Sequence, residues 1–214
     1  RDRSPSRGLG DVYKRQSIDL GNGVSLTNKS SSVAYSDGMV IKYSSEGKVE
    51  WAQGIGGTNT DVITSVAECS DGGYIVGGEF TSEVIDLGNG ISLTNKTSGS
   101  QSYSMIIKYS SNGKVEWARG IEGSSNVQSV SGTSDGGCVV GGYFRSSSLN
   151  LGNGTSLTSK DGGSYGDGMI VKYSASGEVE WAKGIGENSE DGISSVAECK
   201  DGGYIVAVSY THLT

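Results

Sequence analysis

Any chemistry in this chain has to run on carboxylates. The sequence holds one histidine, His212, so residues 17–206 have none. Ser-His-Asp and Cys-His catalysis and histidine-based metal sites are thereby excluded from that stretch. Cys69, Cys138 and Cys199 lack C-x-x-C spacing, which argues against structural zinc. The glycine pairs in GIGG, from Gly54, and GIGEN, from Gly184, are not followed by Lys-Ser/Thr, so neither is a phosphate loop. Two acidic groups remain as candidates. Glu187, Glu190 and Asp191 crowd into GENSEDG, an oxygen-rich loop of the kind that binds a hard cation such as calcium. Asp37 and Asp167 each precede a Gly-Met and an apolar run, and are candidates for a ligand site. No other metal, cofactor or catalytic set is expected.

The elements that would position these groups are repeats. GKVEWAQGIG begins at Gly47, GKVEWARGIE at Gly113 and GEVEWAKGIG at Gly177, so Trp51, Trp117 and Trp181 are spaced by 66 and 64 residues. DLGNG or NLGNG recurs from Asp19, Asp86 and Asn150, and DGGY or DGGC from Asp71, Asp135 and Asp201. A unit of about 65 residues is present three times, over about 17–83, 84–147 and 148–206. The match stops at both extremes. Residues 1–16, with five basic side chains, and about 207–214 resemble translated sequencing-adaptor read-through and are set aside from the fold.

Within a unit, residues 39–44 and 48–53 flank Ser-Glu-Gly, and a three-residue loop ending in glycine predicts a hairpin. The expected register sets Lys42 opposite Glu50, Tyr43 opposite Val49 and Ile41 opposite Trp51, with Lys108–Glu116 and Lys172–Glu180 as the same charge pair elsewhere. Gln53, Arg119 and Lys183, two residues beyond each tryptophan, read as exposed. A second hairpin turns through Asp71-Gly72-Gly73, and Gly-Asn-Gly between the hairpins reads as a protruding turn. Four antiparallel strands in two hairpins is the plan of a β-propeller blade. The expected fold is all-β: an open arc with the second hairpin of one blade (about 37–55), two full blades (about 61–121 and 127–185) and the first hairpin of another (about 191–206). The tryptophans are expected between blades as core, and the cysteines as free apolar thiols.

The run DGMVIKYS, GKVEWAQGIG and DGGYIVGGEF resembles the bacterial β-propeller repeats called SBBP, over nearly all of residues 17–206. The resemblance implies a propeller in a secreted or surface-anchored bacterial protein, usually without a known catalytic activity. The second copy departs from it, with Ser104 where Asp37 and Asp167 stand in the others. A fainter likeness of GKVEW to quinoprotein dehydrogenase blades comes without cofactor-binding residues.

Composition narrows the partners. The chain has 36 glycines, one proline and a hydrophobic fraction of 34%, a pattern of short strands and tight turns. The formal charge is −7, and the basic leader masks a still more acidic remainder that repels nucleic acid. No apolar run reaches the roughly 20 residues of a membrane-spanning helix. The expected function is a non-enzymatic scaffold in the extracellular space or at the cell surface. It would offer its blade-connecting loops to a protein or glycan and continue into further blades of the same chain. The alternative is a propeller that binds or cleaves carbohydrate with loop carboxylates.

Overall fold

The computed structural model describes residues 17–30, 32, 34–96 and 102–211, so the basic leader and His212 lie outside the described residues. The described residues form an all-β structure of 18 antiparallel strands. β1 (Ser17–Gly21) and β2 (Val24–Thr27) make a small hairpin, followed by a longer one from β3 (Gly38–Tyr43) and β4 (Val49–Ile55). β5 (Asp61–Glu68), β6 (Tyr74–Phe80), β9 (Tyr103–Tyr109) and β10 (Val115–Ile121) form a four-stranded sheet in that order. The short pair β7 (Val84–Asp86) and β8 (Ser92–Thr94) is inserted between its two hairpins. β11 (Ser125–Gly132), β12 (Cys138–Phe144), β15 (Asp167–Tyr173) and β16 (Val179–Ile185) repeat the sheet. Their inserted pair is β13 (Ser148–Gly152) and β14 (Thr155–Thr158). β17 (Gly192–Glu198) and β18 (Tyr204–Ser209) form the last hairpin, so residues 207–209 continue a paired strand. Each inserted pair turns through Gly-Asn-Gly, with Asn22, Asn89 and Asn153 at positive φ.

The sheets stack face to face in chain order. One core joins β3–β4 to the first four-stranded sheet through Val40, Ile55, Val76, Phe80 and Ile107. A second joins the two four-stranded sheets through Ile75, Ile106, Trp117, Val130 and Val140, and a third joins Val139 and Ile170 to Ile193 and Val196. The first strands pack on one another, β11 against β5 and β17 against β11, whereas β4, β10 and β16 pack on their own inserted hairpins. β9 and β15 are buried along their whole length, as strands inside a sheet covered on both faces must be.

The hairpin register differs from expectation by one residue. Tyr43 does pair with Val49, but a bulge at Glu50 moves Lys42 opposite Trp51 and Ile41 opposite Ala52. The same bulge recurs before Trp117 and Trp181. It carries each tryptophan onto the face that meets the next sheet. There Trp51 donates Nε1–H to Ser111 O (3.1 Å) and Trp117 to Ala175 O (2.9 Å). Both rings lie over the turn glycines, Gly113 and Gly177, where a Cβ would come within 2.6 Å of the indole and where φ is +78°. Only glycine meets both conditions. Gln53 and Arg119 are not exposed as expected. They are half-buried, and donate to Gly113 O (3.0 Å) and Gly177 O (2.8 Å) across the same junction.

The repeated lysine also has a partner the register did not reveal. Lys108 and Lys172 are almost fully buried, and their amines lie 2.7 Å from Asp71 and 2.9 Å from Asp135, the aspartates of the Asp-Gly-Gly turns. These contacts tie the second hairpin of each sheet to the first. Lys108 thus pairs with Asp71 instead of Glu116, while Lys172 adds Glu180 at 3.3 Å and Lys42 has Glu50 at 3.7 Å. Gly73 and Gly137 make room, since a Cβ there would sit 2.7 Å from the amine. Burial is the largest influence and disfavours the Lys108 charge, but Asp71 and Cys69 together outweigh it and hold the amine above its ordinary value. Hydrogen bonds from Thr133 and Lys172 pull the Asp135 carboxyl down to about 2.

Removing the anion from this pair strands a buried cation, and removing the cation leaves a half-exposed anion. Asp71→Asn is therefore expected to cost about 2–4 kcal/mol, less than the roughly 3–5 of a fully buried pair, and Lys108→Met clearly less, measured by urea unfolding. A larger loss from Lys108→Met would refute this ordering. Because the Asp135 pKa is depressed, its contribution is complete above about pH 4 and is lost as pH falls through about 2. Stability followed from pH 5 to pH 2 should fall more steeply in the parent chain than in Lys172→Met.

Candidate functional site

The strand-start aspartates are built into the junctions between sheets. Asp61, only 1% exposed, accepts from Thr81 N (3.1 Å) and Ser82 N (3.2 Å) on Oδ1. Its Oδ2 accepts from Gly57 N (2.9 Å) and Ser82 Oγ (2.6 Å). Burial pushes the Asp61 carboxyl above its ordinary value, against the pull of these donors. Asp191 occupies the same place before β17 and accepts from Glu187 N at 3.1 Å. Asp37, half-buried, accepts from Lys29 N at 2.6 Å and presses on Gly56. Asp167, buried, accepts from Lys160 N at 3.1 Å. Its Oδ1 lies 2.2 Å, and Asp191 Oδ2 3.2 Å, from the place a Gly186 Cβ would take. At the middle junction both positions are serine, and buried Ser104 and Ser125 share a hydrogen bond of 3.0 Å. Asp37 and Asp167 thus close loops at separate seams, and Asp37 also lines a cavity of about 280 Å³ with Leu26, Met39 and Gly54.

The acidic loop is taken apart in the same way. Asp191 turns inward to hold the Glu187 N–H, the Glu187 side chain is exposed, and Glu190 pairs with Arg145 and accepts from Gly166 N at 3.3 Å. The Arg145 guanidinium holds the Glu190 carboxyl below its ordinary value. Among the described residues no group of three or more His, Cys, Asp or Glu side chains is arranged to hold a metal ion. The competing partner, Arg145, lies 45 residues away in the chain, beyond the reach of a local reading.

Beside Glu190 the starts of β11 and β17 enclose a cleft of about 260 Å³, lined by Gln128, Tyr143, Glu190, Asp191, Ser194 and Ser209 among others. Gln128 and Ser194 are the bulged residues of their strands, left out of the ladder and exposed. Arg145 lies over the Tyr143 ring, 5.4 Å from its centroid. Next to it, Glu79 accepts from Ser102 Oγ (2.6 Å) and from Asn126, which is bonded in turn to Gln128. Exposed Tyr165 stands immediately before Gly166. Flat rings, amides, two carboxylates and a guanidinium suit a polar ligand held by stacking and hydrogen bonds. Of these residues only Glu190 and Asp191 stand out in the sequence, and there as cation ligands. The available signal was disagreement between copies: Thr64, Gln128 and Ser194 share one place in the repeat, and Glu79, Tyr143 and Ser209 another.

No family model and no curated protein matches this chain. Among solved structures it is similar to the crystal structure of a protein of unknown function from Bacteroides caccae, at 13% identity and a TM-score of 0.43. The match covers 78% of this chain and 49% of that one, so this chain spans about half the length of that structure.

Every contact of Asp61 comes from a donor, so an amide there would turn its NH₂ toward other N–H groups. Asp61→Asn is expected to destabilise by about 1–3 kcal/mol in chemical unfolding, with strand content unchanged by circular dichroism. A neutral result would mean that the loop closes without this acceptor.

Proposed function

We propose that this chain is a run of β-propeller blades serving as a non-enzymatic binding scaffold, with the cleft at Tyr143 as its ligand surface. One observation carries the reading: side chains at the middle sheet junction grade from glycine to tryptophan, and each outer junction repeats one end of that gradient. On the first-strand side, a Cβ on Gly77 would lie 2.6 Å from Val127, and one on Gly141 2.7 Å from Ile193. On the fourth-strand side, Trp51 spans to Tyr109 at 6.1 Å between ring centroids and Trp117 to Tyr173 at 6.3 Å. Such a taper makes each sheet a wedge, and wedges stacked in one sense turn about an axis near their first strands. That is the geometry of propeller blades. The repeats' likeness to bacterial β-propeller repeats supports a place outside or on the surface of a bacterial cell.

The ligand we favour is a glycan, bound and not cleaved. Tyr143 offers a ring for stacking, and Gln128, Ser194 and Ser209 offer hydrogen-bonding groups. A glycosidic general acid needs a raised pKa, whereas Arg145 lowers that of Glu190. Soluble bacterial and host oligosaccharides titrated against the chain by calorimetry should include a binder. Tyr143→Ala should weaken that binder at least ~10-fold without changing the thermal melt. Release of reducing sugar, or unchanged binding by Tyr143→Ala, would overturn this assignment.

A further inference from the structure

The two ends of the stack carry complementary halves of one sheet. β9 pairs with β6 and β15 with β12, while among the described residues β3, their counterpart, pairs only with β4. β18 is the counterpart of β6 and β12, and it pairs only with β17. The buried lysine–aspartate pair is split in the same way. Lys42 is 35% exposed where Lys108 is 1%, and Asp201 accepts its own Gly203 N–H at 2.9 Å, as Asp71 does that of Gly73, but pairs with no lysine among the described residues. Val66 is 59% exposed where Val130 and Val196 are 5%, and Ile205 is 64% exposed where Ile75 and Val139 are fully buried.

A cavity marks the same gap. About 280 Å³ stands open over Leu26, Met39 and Gly54, and Asp37 Oδ1 is buried beside it without a hydrogen-bond partner. In the next unit the corresponding space is filled by Phe80, packed over Leu93 and Gly120. Tyr210 holds the place of Phe80 and Phe144 in the last copy, and it is exposed. A phenol hydroxyl can donate to Asp37 where phenylalanine could not.

We propose that two copies of this chain join end to end, β18 of one pairing with β3 of the next to complete a sheet in the order β17, β18, β3, β4. The register is that of β6 with β9, which sets Val206 opposite Ile41 and brings Lys42 to the Asp201 turn. Ile205 then covers Val66, as Val139 covers Val196. A second copy is the occupant argued for, because the edge of β3 calls for an Asp-Gly-Gly hairpin ending in an aromatic residue, and this chain carries one whose outer edge pairs with no strand among the described residues. Two misfits are built in: Val208 stands in the place of Gly78, where a Cβ would come 3.1 Å from Met105, the counterpart of Met39, and the second lies one residue before it. Ala207 replaces the glycine that lets Gly77 and Gly141 lie close to the next sheet, so its methyl presses on Ile63 and Val66. The inference concerns the ends of the stack and does not rest on the ligand cleft.

The test uses the full 214-residue chain in sedimentation velocity over a wide concentration range. Concentration-dependent dimers and longer species are expected. Lys42→Glu and Asp201→Lys should each weaken association at least ~10-fold, and the double variant should restore it. Ala207→Gly should tighten it. In a Cys199→Ser background, mixing Ile41→Cys and Val206→Cys chains should give a covalent dimer on oxidation, whereas Met39→Cys with Val206→Cys should not. A parent chain that stays monomeric would overturn the proposal, showing that the free edges are covered by another segment or close within one copy. Association indifferent to the charge reversals, or equal cross-linking of both cysteine pairs, would overturn it as well.

Discussion

The structure depends on a buried ammonium seated over a tight turn. Lys108 and Lys172 belong to the second hairpin of their sheets, and Asp71 and Asp135 to the first. Taking a lysine out of water costs several kcal/mol unless a close anion and further acceptors replace the solvent. The Asp-Gly-Gly turn supplies both. Its aspartate is already fixed by a hydrogen bond to the backbone of its own second glycine, and that glycine leaves the volume the amine enters. The favourable arrangement therefore exists only when the two hairpins lie side by side in one register, with Tyr74 against Tyr109 and Cys138 against Tyr173. A hairpin alone is marginal in water, and two hairpins locked into four strands are not.

Once the sheet is four strands wide, both of its faces are apolar and need covering. The tryptophan one position beyond the bulge provides the link to the next sheet. The indoles of Trp51 and Trp117 each bury a large apolar surface, on the order of 2–3 kcal/mol, and their N–H groups are satisfied by a carbonyl of the neighbouring turn. Arg119 adds a bond to Gly177 O and an ion pair with Glu178 across the same seam. The junction is anchored at its wide side by these long side chains. At its narrow side β-strand hydroxyls bridge backbones directly: Ser65 Oγ accepts from Val130 N at 3.0 Å, and Ser129 Oγ from Val196 N at 3.2 Å.

What the sequence disclosed follows from the range of each interaction. The turns were legible because Ser-Glu-Gly, Asp-Gly-Gly and Gly-Asn-Gly encode their conformations within three residues. The four-stranded plan followed from their spacing. The register was not fully legible, because the bulge at Glu50 lies in Val-Glu-Trp, a run with no glycine to announce it. Lys108 was assigned to Glu116, its neighbour across the hairpin, while its real partner is Asp71, 37 residues earlier in the chain. Gln53 and Arg119 looked exposed because their variation reads as surface, yet both side chains reach the same backbone carbonyl by different donors. The glutamates of GENSEDG looked like a cluster because they are close in sequence, and the fold separates them by giving Asp191 a backbone donor and Glu190 an arginine.

The pairs at the seam say where function is to be sought. Asp167 and Asp191 meet at Gly186, and in the middle copy Ser104 and Ser125 take their places together and bond to each other. Such a joint change shows that the seam requires mutual satisfaction of two polar side chains and tolerates a neutral or an acidic version. The residues around Tyr143 behave differently. At the bulge both residues are exposed, but Thr64 donates to Val127 O at 2.6 Å, while Gln128 lines the cleft. Its replacement by threonine or serine in the other copies leaves the ladder intact, because a bulged residue lies outside it. Positions free of the framework in this way can be shaped by a ligand, and in this chain they converge on one cleft.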